Sequence, residues 1–308
     1  MKLRRAIGLA AAGVGLTAAA NAALSNRVGP LEPPLSGTQQ TYRWRGIDVS
    51  YVEAGDEDAP TLVFFHGINA AGSSGEFREV FSELAEDYHV VAPDLPGFGL
   101  SDRPALYYSP ALYEDFVGDF LATYDDPAVV ASSLTSAYTV AAASRDDVSL
   151  SGLVLICPTA RGGPEPKEWL RELVRAPVVG EALFNLVASR PSIQYFNDDH
   201  GYYDQSKASD EWEDYEWRTA HQENARFAPA SFISGYLNSD IDLASALSEL
   251  DVPTTLVWGR ESDITPLKDG RELAEAADCT LVVFDDAMLL PHVEFPNAFV
   301  ETVLDALA

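Results

Sequence analysis

Short hydrophobic runs and longer stretches of helical spacing alternate along most of this chain. Six of the runs are apolar and rich in β-branched residues, as is typical of buried strands. They are residues 61–65, 89–94, 127–131, 153–157, 254–258 and 280–284. Helical spacing follows several of these runs, at 74–88, from Leu134 onward, at 267–277 and at 292–307. This alternation predicts an α/β fold in which helices cover both faces of a mostly parallel sheet.

Two regions depart from the alternation. Residues 41–55 favour a β-hairpin that turns at Arg45 to Asp48. Residues 162–242 are helical in pattern and rich in aromatic side chains, with no predicted strand. We therefore predict a core formed by residues 41–161 and 243–308, and a helical insertion at 162–242.

The first 27 residues form an N-terminal hydrophobic segment, and the proline-rich residues 28–40 read as a linker. Lys2, Arg4 and Arg5 precede an uncharged run at residues 6–24. Such a run behind basic residues predicts a membrane anchor or an export signal, with membrane association through residues 6–24. An ordinary cytoplasmic helix is the alternative.

The net charge of the chain bears on which partners it can bind. The chain carries 48 acidic against 20 Lys and Arg side chains, which gives a formal net charge of −28. A surface of this sign repels nucleic acid, so no nucleic-acid partner is expected. The acids are dispersed and lysine is scarce, a composition that resembles proteins of salt-loving microbes.

No cofactor or metal is expected. The two cysteines, Cys157 and Cys279, have no metal-ligand spacing around them, and no glycine-rich phosphate loop is present. Both cysteines abut predicted strands, which favours free structural thiols.

A candidate nucleophile follows the strand at 127–131. The chain turns there directly into a helix, which is the context of the G-x-S-x-G nucleophile elbow, where residues two places from the serine must be small. Around Ser133 these neighbours are Ala131 and Thr135, whereas around Ser132 they would be Val130 and Leu134. Ser133 is the better candidate, although both glycines of the motif are replaced.

Two further motifs give a family resemblance. His66-Gly67 follows the strand at 61–65, and Asp94-Leu-Pro-Gly-Phe-Gly-Leu-Ser-Asp-Arg-Pro104 follows the strand at 89–94. With the serine turn, they make residues 40–308 resemble an α/β-hydrolase of the group that holds esterases, epoxide hydrolases, haloperoxidases and dehalogenases.

The resemblance implies an eight-stranded sheet and a helical cap, which residues 162–242 match in place, over an apolar pocket for a small substrate. It also implies that the backbone N–H groups of Ile68 and Leu134 bind the oxyanion. His66 is expected to be structural. His200 and His221 lie in the insertion, from which each is a candidate to reach the pocket.

The catalytic triad implied by the resemblance is incomplete. The position of its acid is occupied by Ser262, next to Asp263, and the position of its histidine is occupied by Leu289. His292 matches a second histidine of the pattern that is usually not catalytic. One hypothesis is a hydrolase in which Ser133 is served by a rewired dyad of His292 and Asp263.

The competing hypothesis is a protein that uses the same pocket to bind a small apolar ligand, or for proton-transfer chemistry, without hydrolysis. A third and weaker one is a surface-anchored interaction module. For the first hypothesis we predict weak or absent ester turnover, because Leu289 should face Ser133 and His292 should lie beyond hydrogen-bond reach of it.

Overall fold

The structure is a computed structural model that describes the backbone of residues 2–308 and the side chains of residues 15–308. Its centre is one eight-stranded sheet with the strand order β1-β2-β4-β3-β5-β6-β7-β8. The strands are β1 Thr38–Trp44, β2 Ile47–Ala54, β3 Thr61–Phe65, β4 His89–Pro93, β5 Ala128–Ser132, β6 Gly152–Ile156, β7 Thr254–Gly259 and β8 Thr280–Phe284. β1 and β2 are antiparallel, as are β2 and β4, and all other pairs are parallel. The predicted eight-stranded, mostly parallel sheet is confirmed.

Thirteen α-helices surround the sheet in the described part of the chain. They are α1 Lys2–Val28, α2 Phe81–Leu84, α3 Pro110–Leu121, α4 Thr135–Ala143, α5 Glu168–Arg175, α6 Val179–Val187, α7 Arg190–Phe196, α8 Asp210–Ala220, α9 Phe227–Ile233, α10 Leu243–Glu249, α11 Leu267–Ala277, α12 Pro291–Glu294 and α13 Pro296–Ala306. Helices α5 to α9 lie between β6 and β7 in sequence, and we call them the cap. The division of the chain at residues 162 and 242 stays a prediction.

Hydrophobic residues fill both faces of the sheet, because parallel strands are buried on each side. In β5, Val129 and Ala131 belong to a cluster that includes side chains of α3 and α4. The alternate residues Ala128 and Val130 belong to a second cluster that includes α2 and α13. The carboxyl ends of the central strands are thereby held in fixed positions, and the loops that follow them carry the candidate chemistry.

Several predicted elements differ in detail. The helix predicted over 74–88 is only a 3₁₀ turn, Ser74–Phe77, followed by the four-residue α2. The closing helix predicted over 292–307 is divided into α12 and α13, with Pro296 opening α13. Proline lacks an N–H and restricts the preceding residue, so the helix ends before it and restarts at it. The predicted linker at 28–40 already contains the first residues of β1.

The N-terminal helix α1 lies against the cap. The Asn21 side chain is buried, donates to the carbonyl of Val178 over 3.0 Å and accepts from Asn185. Arg218 donates to the carbonyls of Val28 and Pro30 at the end of the helix. No helix in the described residues has both the length and the apolar character needed to cross a bilayer.

Candidate active site

Ser133 stands at a strained turn between β5 and α4. Its φ is 53°, in the left-handed region that residues other than glycine seldom adopt. Its N–H donates to the carbonyl of Ile156 over 2.8 Å, which ties the turn to the neighbouring strand β6. Among the described residues, no hydrogen bond engages the Ser133 hydroxyl, and the residue is partly exposed. This is the geometry that a nucleophile elbow requires.

Thr135 fits the elbow although the family pattern has glycine there. Its hydroxyl donates to the carbonyl of His66 over 2.7 Å, so its polar atom is satisfied while the residue is fully buried. This hydrogen bond joins the elbow to the loop after β3. The larger side chain at this position therefore links two parts of the site.

The loop after β3 lies directly on the elbow. A Cβ placed on Gly67 would be 3.5 Å from the Cβ of Ser133. In the part of the chain that the structure describes, the N–H groups of Ile68 and Leu134 donate no hydrogen bond within the protein, although both residues are buried. Two unpaired buried amides beside a serine are suited to receive a developing oxyanion.

His66 holds this loop in place. Its Nε2 accepts from the N–H of Leu95 over 3.0 Å, and its Nδ1 lies 2.7 Å from the carbonyl of Gly67. Because Nε2 must accept, the proton is on Nδ1, which donates to the carbonyl. Burial lowers the pKa of His66, so the ring stays neutral. These contacts fit the structural role that the sequence predicts.

The loop of residues 94–104 is organised by one carboxylate. Asp94 accepts from the N–H of Ser74 over 2.6 Å and from the N–H of Leu100 over 2.7 Å. Gly99 has a φ of 50°, and a Cβ there would lie 2.1 Å from the Asp94 carboxyl carbon. The glycine is thus required by the close approach of Asp94. The motif supports the loop after β3 that carries Gly67 and Ile68, which we call the oxyanion loop, without contributing a reactive group.

Asp263 pairs with a histidine of the cap. The His200 Nδ1 lies 2.9 Å and 3.1 Å from the two carboxylate oxygens of Asp263. His200 lies in a π-helical turn, Asn197–Gly201, that follows α7. Ser262, at the position of the family acid, is buried and its hydroxyl is 3.0 Å from that of Thr265. The predicted dyad of His292 with Asp263 is therefore corrected: Asp263 holds His200.

His292 is buried beneath the site. Its Nε2 is 3.6 Å from Oε1 of Glu76, and neither ring nitrogen has a hydrogen-bond partner in the described residues. It therefore makes no hydrogen bond to Ser133, as predicted. Burial, with a smaller effect of Arg78, lowers the pKa of His292 to about 3, so the ring is neutral at ordinary pH.

Glu76 was not identified from the sequence. Its Oε2 accepts from the N–H of Gly67 over 2.8 Å, and its Oε1 has no hydrogen-bond partner in the described residues. Burial raises the pKa of Glu76. No local sequence pattern marks this residue, because its contacts with Gly67 and His292 form only when the loop after β3 and the C-terminal helices fold together.

Leu289 occupies the position of the family histidine. It packs against a small apolar cluster of Cys157, Trp258 and Leu267. Burial raises the pKa of the Cys157 thiol to about 11, so it stays protonated and unreactive. These contacts give Leu289 a packing role; the prediction that it faces Ser133 stays a prediction.

A cavity of about 310 Å³ lies between the cap and the loop after Ile68. Its walls are mainly apolar and include Ala70, Ile193 and Phe196, with His200 at one side. Phe232 lines it and also approaches the elbow: a Cβ on Gly162 would be 3.1 Å from the Phe232 ring and 3.5 Å from Leu134. Ser133 itself does not line this cavity. His221 lines a different, polar cavity beside α1.

Comparison with known proteins agrees with this arrangement. The family model described as the alpha/beta hydrolase family matches residues 62–302. An uncharacterized hydrolase of Saccharomyces cerevisiae is 44% identical over 62 residues, which cover 20% of this chain and 21% of that protein. The chain thus aligns with only about a fifth of this relative's length.

Longer matches have lower identity. A 2-hydroxy-6-oxo-6-(2'-aminophenyl)hexa-2,4-dienoic acid hydrolase of Metapseudomonas resinovorans is 24% identical over 279 residues, 85% of this chain and 88% of that protein. The crystal structure of a serine hydrolase involved in carbazole degradation superposes with a TM-score of 0.70 at 19% identity, covering 88% of this chain and 98% of the other. Since the family model spans most of the chain, the protein belongs to the alpha/beta hydrolase family.

Proposed function

We propose that the protein is a cofactor-free hydrolase that cleaves a small apolar, ester-like substrate through Ser133, with a base supplied by the cap. The observation that carries this proposal is the elbow itself: Ser133 has a φ of 53° and a free hydroxyl beside the unpaired N–H groups of Ile68 and Leu134. Strained backbone conformations cluster at functional sites. Here the strained turn places the Ser133 hydroxyl next to the N–H groups of Ile68 and Leu134.

The proposed reaction follows from these positions. The Ser133 oxygen bonds to the substrate carbonyl carbon while its proton passes to Nε2 of a histidine. The N–H groups of Ile68 and Leu134 stabilise the negative charge on the carbonyl oxygen. The histidine then gives the proton to the leaving alkoxide, and water releases the acyl group from Ser133 by the same steps.

His200 is the histidine best suited to act as this base. Asp263 binds its Nδ1, which fixes the tautomer with the proton on Nδ1 and leaves Nε2 as the acceptor. Its ring also lines the apolar cavity. His200 makes no hydrogen bond to Ser133 in this structure, so the proposal requires the cap to close towards the elbow before the proton can pass.

The second candidate function is binding or proton-transfer chemistry without an acyl-enzyme. It is favoured by Ser262 and Leu289, which occupy the positions where the family pattern has the acid and the histidine. The two functions differ in what they require of Ser133, because only hydrolysis needs its oxygen to form a covalent bond.

A fluorophosphonate probe in molar potassium chloride tests the proposal. The wild type should be labelled, Ser133→Ala should lose labelling, and the matched control Ser132→Ala should keep it. Labelling that survives Ser133→Ala, or a wild type that reacts no faster than denatured protein, would overturn the hydrolase proposal and leave the binding function.

A further inference from the structure

The outer surface of the cap carries a continuous apolar face. Exposed apolar side chains recur on α6 at positions one, five, eight and nine of the helix, which is the spacing of a single helical stripe. They are Val179, Leu183, Leu186 and Val187. The adjacent α5 adds Trp169 and Leu173, which are one turn apart. We call these six residues the outer cap face.

Helix α6 is apolar on both of its sides. Gly180 and Phe184 point inward and are buried. The outward stripe lies where a surface helix of a globular protein carries polar residues, yet Leu186 is 69% and Trp169 is 66% exposed. A contiguous apolar patch of this kind marks a surface that is covered by something else.

The N-terminal helix indicates what covers it. α1 packs on α6, and the hydrogen bond from Asn21 to the carbonyl of Val178 stands at the start of α6, where Val178 has a φ of 61°. Such a φ is unusual for a β-branched residue, so the turn into α6 is held in part by α1. Leu16 of α1 is also exposed, at 74%. In sequence, α1 contains Lys2, Arg4 and Arg5 and then the uncharged run at residues 6–24.

We propose that the outer cap face and α1 together form a surface that docks onto a lipid bilayer. The sequence of α1 supports lipid as the occupant, because an uncharged run behind three basic residues is the pattern of a segment that associates with membranes. The overall charge of −28 disfavours anionic headgroups, so the attraction comes from burial of apolar side chains in the lipid.

The cavity opens beside this face. Val187 belongs to the outer cap face and also lines the cavity of about 310 Å³, next to the exposed Tyr195. An apolar substrate dissolved in the bilayer therefore has a short path into this cavity, which His200 also lines. This last step rests on the proposed function, whereas docking itself does not.

Sedimentation of the full chain with sucrose-loaded phosphatidylcholine vesicles tests the docking. We expect binding at 0.1 M and at 2 M potassium chloride, because apolar burial is not screened by salt. The triple variant Trp169→Ser, Leu183→Ser, Leu186→Ser should bind about 1000-fold more weakly, at about tenfold for each buried side chain. None of these three residues lines the cavity.

Two control variants keep the result interpretable. Phe295→Ser removes an exposed apolar side chain outside the cap and should bind as the wild type does. Ser133→Ala should also bind normally, so a failure of the hydrolase proposal is distinguishable from a failure of this one. If the triple variant does not fold, Trp169→Phe gives the second measurement: it should keep binding but lose the blue shift of tryptophan fluorescence caused by vesicles.

Several outcomes would overturn the proposal. Undiminished binding by the triple variant would assign membrane contact to α1 alone. A wild type that is dimeric without vesicles, and monomeric after the triple substitution, would show that a second copy covers the outer cap face. Absence of vesicle binding by the wild type at both salt concentrations would show that lipid is not the occupant.

Discussion

The core and the cap contribute to the candidate site by different physical means. The core supplies backbone: a left-handed turn at Ser133 and two free amides, all set by loops that leave buried parallel strands. On the proposed mechanism the cap supplies a side chain, His200, that is partly exposed and hydrogen-bonded to Asp263. Positions that depend on backbone geometry match the family pattern, whereas Ser262 and Leu289 stand where that pattern has an acid and a histidine.

The physical reason lies in how tightly each part is constrained. The elbow and the oxyanion loop are held by the sheet, by the hydrogen bond from Thr135 to the His66 carbonyl and by the one from the N–H of Leu95 to the His66 ring, so no other segment can take their place. A base needs only an imidazole within reach and a carboxylate behind it. Any loop near the mouth of the site can offer these, including a loop of the cap.

The largest expected effect tests whether the cap holds the base. His200→Gln and Asp263→Asn should each reduce ester turnover by about 10²-fold to 10⁴-fold, because proton transfer in the transition state is lost. The double variant should be little worse than either single variant, since the two residues act as a unit. Steady-state kinetics with a short-chain aryl ester measure this.

The matched control is His221→Gln on the same cap. The His221 Nδ1 lies 2.7 Å from the carbonyl of Trp217. The His221 ring lines the polar cavity beside α1, whereas His200 lines the apolar cavity. It should leave turnover unchanged. If His292→Gln reduces turnover strongly while His200→Gln does not, the base belongs to the core and the comparison fails.

The second prediction concerns a carboxyl group that the cap buries. Glu216 on α8 accepts from Asn197 over 2.8 Å, and burial raises its pKa to about 7, above the ordinary value of 4.5. The folded state therefore binds this proton more tightly than the unfolded state. Its contribution to stability is complete below about pH 4.5 and is lost as the pH rises through about 7.

The variant Glu216→Gln removes this pH dependence. At pH 8.5 it should be more stable than the wild type by about 1–3 kcal/mol, and at pH 5.5 the gain should be clearly smaller. Urea denaturation at the two pH values measures the difference. Glu211→Gln, at an exposed position of the same helix, is the control, and an equal gain at both pH values would argue against a buried carboxylate.

A smaller effect tests the link between elbow and oxyanion loop. Thr135→Val keeps the shape of the side chain but leaves the carbonyl of His66 without its donor, which should destabilise the fold by about 1–2 kcal/mol. Thr139→Val is the control, because its hydroxyl bonds within α4, to the carbonyl of Thr135. If the link positions the amides, kcat should fall several-fold more in Thr135→Val than in Thr139→Val, at similar loss of melting temperature.

The smallest effect is expected from salt, and it should act on core and cap alike because the acids are dispersed. Repulsion among the excess negative charges is screened over about 10 Å at 0.1 M salt but over about 3 Å at 1 M. The melting temperature should therefore rise by several degrees from 0.1 M to 2 M potassium chloride. Calorimetry measures this change. An unchanged melting temperature would show that repulsion among the excess negative charges does not limit stability.

The fold and the core half of the site were predictable from sequence. Apolar, β-branched runs that alternate with stretches of helical spacing identify the parallel strands. The small residues two places on either side of Ser133 distinguish it from Ser132. The pairing of His200 with Asp263 was not predictable, because the two residues are 63 positions apart and meet only when the cap folds over the core. Glu76 was not identified for a similar reason, whereas His292 was named from the sequence and, as predicted, makes no hydrogen bond to Ser133.

Leu289 shows a further limit of sequence alone. The sequence identifies a missing histidine there, but only packing shows that the leucine has joined an apolar cluster with Trp258 and Leu267. The outer cap face is also hidden in the sequence, because an apolar helix in a cap reads equally well as buried or exposed until its neighbours are placed.

The hydrogen bond between His200 and Asp263 spans the boundary between the cap and the core. On the proposed mechanism, opening the cap to admit substrate separates base from acid, and closing it assembles them again. The same movement would then control both substrate entry and catalysis. While the cap is open, Ser133 has no base to accept its proton, so it does not react when water enters the site. The cost is that turnover can run no faster than the cap closes.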